Sequence, residues 1–124
     1  YESLLDGDLY PSWAASENAG YGSIGVRIYP PLAPFLFGLF RILLGDWHLA
    51  VCLFFLIFTF VGCCGVYLWA REYLSAEEAV LAGVVFALMP YRLYQIQGAS
   101  QFAEFAGCSV IPFCFLFVAR VCRR

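Results

Sequence analysis

The sequence predicts an all-α fold: a polytopic transmembrane helical bundle fragment with an N-terminal extracytoplasmic loop and a juxtamembrane helix. Three observations carry this expectation. Of 124 residues, 63% are hydrophobic and only 13% are charged, against about 45–50% and about 25% in soluble domains. A chain of this length has too little interior to hide so much apolar surface from water. The stretch LAVCLFFLIFTFVGCCGVYLWA, residues 49–70, holds no charge at all, and 22 residues at 1.5 Å each give about 33 Å, enough for a hydrocarbon core of ~30 Å.

The elements follow in order. Residues 1–29 form a polar loop rich in Gly, Tyr and Trp, which belongs outside the bilayer. Residues 30–45, PPLAPFLFGLFRILLG, open on a double proline, and proline suits a helix start because its missing N–H is one the first turn leaves unused. Leu32, Phe35, Leu36, Leu39, Phe40 and Leu43 recur at three- and four-residue spacing, the pattern of a helix lying flat on a bilayer. Arg41 and the short apolar run favour that placement over a crossing, which stays the alternative. Residues 49–70 are the clearest transmembrane helix. Residues 76–96 are a second, with Ala79, Ala82, Gly83 and Ala87 spaced for close helix approach and Pro90 disrupting the far end. Residues 99–120 are a third, in which Pro112 predicts a kink.

Charge sets the expected topology. With residues 30–45 flat, the opening loop and the 90–100 connection share the outer face. Arg71 and the terminal arginines share the inner one, as positive charge favours the cytoplasm. A crossing at 30–45 would move Arg27 inside, which the charge count alone mildly favours. Length and Arg41 weigh against it. The expected location is the cell membrane, multi-pass, with membrane lipid as a partner. Seven scattered arginines, no lysine and a net charge of −2 give no case for a nucleic-acid partner. Six cysteines lie in or beside apolar runs without C-x-x-C spacing, so they read as small buried hydrophobes and not as a disulfide or zinc framework. An opening Tyr and a close at VARVCRR read as a piece of a longer membrane protein.

The candidate site gathers on the expected outer face. Asp6 and Asp8, in the run DGD, are acids that can take a proton or hold a divalent cation, although a solvated turn is the plainer reading. Glu104 is the more informative acid, because a carboxylate inside an apolar helix needs a partner. Arg92, across a short connection, is the available one, as a structural or a functional pair. Trp13, Tyr29 and Tyr91 can stack on a sugar ring or anchor at the headgroups, and Arg92 can grip a phosphate. His48, beside Trp47, has a simple interfacial role.

Taken together, GDLYPSW, GYGS, YPPLAPFLFGLFRILLG, YLWARE, AVLAGVVFALMPYRLYQI and AEFAGCSVIPFCFLF resemble the polytopic membrane proteins labelled 6-pyruvoyl-tetrahydropterin synthase-related. That family looks like the GT-C glycosyltransferases, which use polyprenyl-phosphate sugars at the outer membrane face. The resemblance spans nearly the whole chain, and its most specific part runs from Tyr10 to Leu32. It implies an extracytoplasmic acid as catalytic group, with Asp8 and Glu104 as candidates. It also implies substrate contacts by Arg92, Tyr29, Tyr91 and Trp13, with Arg92 neutralising the donor phosphate. Three departures stand out: Ser12 where relatives carry Arg, Gln97-Gly98 where they carry Arg-Gly, and an acidic segment that would precede Tyr1. The expected function is sugar transfer from a polyprenyl-phosphate donor, with a divalent cation as a candidate cofactor. The alternative is a non-catalytic bundle, transporter-like or an assembly subunit, in which Glu104 and Arg92 form a structural pair.

Overall fold

The computed structural model describes residues 7, 13, 18–24, 30, 32–99 and 101–123. The elements are a 3-10 turn at Asn18–Gly20, helix α1 (Leu32–Leu44), α2 (Trp47–Ala70), α3 (Ala76–Ala87), the five-residue α4 (Pro90–Tyr94), a π-turn over Gln95–Ala99, and α5 (Phe102–Cys122). The chain is all-α, as expected. Trp47–Ala70, Ala76–Gln97 and Phe102–Cys122 are each long and apolar enough to cross a membrane. Two compact units divide at Cys52 and Leu53, and each is described separately.

In the first unit, Gly22 has φ +78 and lies against the Trp13 indole, so any side chain at this position would run into the ring. Helix α1 has 13 residues and is about 20 Å long, well short of the hydrocarbon core. Its Leu32, Leu39 and Leu43 are exposed while Ala33 and Gly38 are buried. Gly45 closes the helix with φ +71 and donates its N–H to the Arg41 carbonyl at 3.0 Å, the left-handed stop that glycine makes without strain. Asp46 starts α2 at once: its carboxylate accepts the Leu49 N–H at 2.9 Å. Trp47 then folds back on α1, with its ring 5.5 Å from Phe37 and the Arg41 guanidinium 5.1 Å above it.

In the second unit, α2 and α5 run parallel and α3 lies antiparallel to both. The register follows from the contacts. Phe54 and Phe55 meet Phe102 at 5.4 and 5.3 Å, and Phe55 also meets Phe105 edge-on at 4.9 Å. Lower down, a Cβ at Gly62 would lie 2.5 Å from the Phe86 ring and 3.3 Å from the Ser109 backbone, and one at Gly65 would lie 3.1 Å from Pro112. Trp69 stacks on Phe115 at 5.3 Å. Helix α3 docks through Cys63, whose thiol donates to the Gly83 carbonyl at 3.3 Å. Ala79 and Gly83 are buried, two of the small residues expected to allow close approach. Helix α5 continues through Pro112 without interruption, its ring buried toward Gly65. Many large apolar side chains, among them Leu56, Phe60, Leu81, Val85, Phe117 and Val121, face outward, the inside-out pattern that lipid permits and water penalises.

All six cysteines are free. The expected helix over 76–96 is broken at Leu88–Met89, where ψ leaves the helical range and Pro90 begins a separate turn. Its start is capped by Ser75, whose hydroxyl accepts the Glu78 N–H while the Glu78 carboxylate accepts the Ser75 N–H.

Two outcomes follow. Gly62→Leu forces the Phe86 ring and the α5 backbone to move, and lowers stability by ~1–3 kcal/mol, read as the unfolding midpoint in detergent. The Leu49 N–H holds the Asp46 carboxyl below the usual carboxylate range. This cap is therefore fully present above the ordinary aspartate value of about 3.9 and is lost as pH falls through the lowered one. Titration of the Leu49 amide resonance should show a midpoint below that value, and a midpoint at or above it contradicts the cap.

Candidate functional site

The two ends of the second unit carry different polar groups. At one end, Glu72 binds Arg120 Nε and Arg123 Nη1, each at 3.0 Å, and its carbonyl accepts Arg123 Nη2 at 2.8 Å. Arg123 also covers the Tyr73 ring at 4.7 Å, and Arg71 donates to the Leu74 carbonyl at 3.0 Å. This is the arginine-rich end of the unit. The arginines are about half exposed, and pairs in that setting contribute at most about 1 kcal/mol each. They mark a surface and hold α2 to α5 only weakly.

The opposite end brings together Tyr91, Arg92 and Glu104, three of the residues singled out in the sequence. Glu104 is exposed, in the first turn of α5, and accepts a hydrogen bond from the Tyr91 hydroxyl. A carboxylate there is favoured by the positive end of the helix dipole. Arg92 does not reach Glu104 in this structure. It is 2% exposed, its guanidinium lying 4.0 Å over the Phe105 ring and 4.5 Å from Phe86. Nη2 donates to the Ser109 hydroxyl at 3.1 Å, and that hydroxyl donates to the Phe105 carbonyl at 2.8 Å. Among the described residues, Arg92 Nε and Nη1, and both polar atoms of the fully buried Gln95, find no hydrogen-bond partner. Desolvated cation–π contacts are worth about 2 kcal/mol or more each. They therefore outweigh an exposed hydrogen bond such as Tyr91–Glu104, whose net contribution is about 1.5–3 kcal/mol at most when one partner is charged.

Trp13 is half exposed in the first unit. Asp6, Asp8 and Tyr29 lie outside the described residues, as do Tyr10 and Ser12. No cluster of three metal-ligating side chains occurs among the described residues. Sequence reasoning missed Phe86, Gln95, Phe105 and Ser109. Ser109 had a signal: it is the single hydroxyl residue in α5, and a hydroxyl inside a membrane helix asks for a partner.

A family model described as dolichyl-phosphate-mannose-protein mannosyltransferase matches residues 29–123. The match covers Tyr29, Tyr91, Arg92 and Glu104 and begins after Asp6, Asp8 and Trp13. No curated protein and no solved structure matches the chain.

Burial of Arg92 has a measurable consequence. Arg92→Met refills the slot between Phe86 and Phe105, whereas Arg92→Ala leaves it open. The Met variant should be more stable than the Ala variant by ~2–5 kcal/mol in denaturant unfolding. Equal stability of the two would place Arg92 at the surface.

Proposed function

We propose, for a chain that belongs to the dolichyl-phosphate-mannose-protein mannosyltransferase family, that the intact protein transfers a sugar from a polyprenyl-phosphate donor to an acceptor hydroxyl at the outer face of the cell membrane. Family membership and three helices able to cross a bilayer make this a multi-pass membrane protein of GT-C-like glycosyltransferase kind. The donor, the face and the residue roles are our reading. The narrower resemblance to the 6-pyruvoyl-tetrahydropterin synthase-related proteins belongs to the same reading.

One observation carries it. Glu104 is an exposed carboxylate held by a tyrosine hydroxyl at the end of the bundle opposite the arginines. In that position a carboxylate can take the proton of an acceptor hydroxyl while the new bond to the sugar's anomeric carbon forms. The bond from that carbon to the phosphate oxygen breaks, and the polyprenyl phosphate leaves with the electron pair. The membrane–water boundary suits this chemistry, since the donor's chain stays in lipid while its phosphate and the acceptor stay wet. Asp8 is the alternative carboxylate, and Asp6 with Asp8 the candidate cation ligands. Tyr91, Tyr29 and Trp13 offer ring faces to the sugar. Arg92, packed between two rings, would need to leave that slot to touch the donor phosphate.

The test uses the purified intact protein and a polyprenyl-phosphate sugar. Glu104→Gln should lower kcat at least ~100-fold while helicity stays that of the wild type. Loss in Asp8→Asn with full turnover in Glu104→Gln would move the role to the loop. Absence of transfer by the wild-type protein would leave the non-catalytic bundle as the better account.

A further inference from the structure

We infer that Arg92 is a positioning residue, an internal latch that orients α4 so that the Tyr91 hydroxyl meets Glu104. Even with the π-turn that continues it to Ala99, α4 belongs to a helical stretch of ten residues, and one that short is marginal unaided because nucleation is costly. The break at Leu88–Met89 also uncouples α4 from α3, so its orientation has to come from tertiary contacts. Among the described residues, two polar side-chain contacts join α4 to α5: Tyr91 to Glu104, and Arg92 to Ser109.

These two contacts are unequal. Tyr91 is 50% exposed and Arg92 is 2% exposed, as neighbours about 100° apart on a helix should be when one faces inward. Water competes for the first contact and is excluded from the second. The guanidinium is held by Phe105, Phe86 and Ser109, from α5, α3 and α5 in turn. Gln95, three positions on, is fully buried as well, so the inward face continues past α4. With that face fixed, rotation of α4 about its axis is fixed, and the direction of Tyr91 follows. Arg92 therefore acts on Glu104 through Tyr91, without touching it.

The experiment places 3-fluorotyrosine at position 91 of the intact protein in lipid nanodiscs and follows its fluorine resonance. Glu104→Gln supplies the reference for a changed Tyr91–Glu104 contact. Arg92→Met should move the resonance toward that reference while helicity stays that of the wild type. A folded Arg92→Met protein with the wild-type resonance overturns the inference. Should Arg92→Met fail to fold, Ser109→Ala decides in the same way: a shifted resonance supports the latch and an unshifted one refutes it. A merely structural arginine would alter stability and leave the Tyr91 signal in place. The functional meaning of the latch rests on the proposed role of Glu104. The resonance does not, so a protein that transfers no sugar would remove that role without touching this result.

Discussion

The close approach of α5 to α2 at Gly62 and Gly65 is the constraint on which the rest of the second unit depends. Lipid gives helices no hydrophobic reason to associate, so packing has to supply it, and packing is best where a missing Cβ lets backbones approach. The two glycines receive the Phe86 ring, the Ser109 backbone and Pro112. Because the two helices are parallel and keep one register, Phe54 lies beside Phe102 at one end and Glu72 binds Arg120 at the other. The polar groups at each end are brought together by this alignment and not by any attraction of their own.

Each end then solves a different electrostatic problem. Around Glu72 the arginines remain in contact with water, where ion pairs are cheap to form and weak. Arg92 is taken out of water, where an unattended charge would be costly. Two aromatic faces and one hydroxyl offset part of that cost. The price is justified if the arginine is needed for shape, because a group gripped by two rings and a hydroxyl cannot turn, while a solvated one can. Glu104 stays exposed, in the first turn of α5.

This division suits a family described by a lipid-linked sugar and a protein acceptor. On the proposed reading both substrates meet where hydrocarbon gives way to water, and Glu104, the proposed carboxylate, stands on a 21-residue helix. Rigid helices hold a reacting group more precisely than a loop can. The short α4, joined to α3 through a helix break, is the least regular element near that carboxylate, and its orientation is therefore where precision has to be added.

Much of the fold was legible in the residues. Long, mostly apolar runs are suited to lipid, so the three spans able to cross a membrane followed from composition and length. The small residues of α3 also announced themselves, whereas the stop at Gly45 and the cap of Ser75 on Glu78 came from the structure. The sequence likewise marked Tyr91, Arg92 and Glu104 as the polar residues at one end. It could not say which of them would pair. Charge alone favours Arg92 with Glu104, yet the break at Leu88–Met89 turns Arg92 inward against Phe86, Phe105 and Ser109 and leaves Tyr91 to Glu104. That choice depends on the rotation of a five-residue helix against its neighbours, a property of packing in three dimensions that no periodicity along the chain encodes.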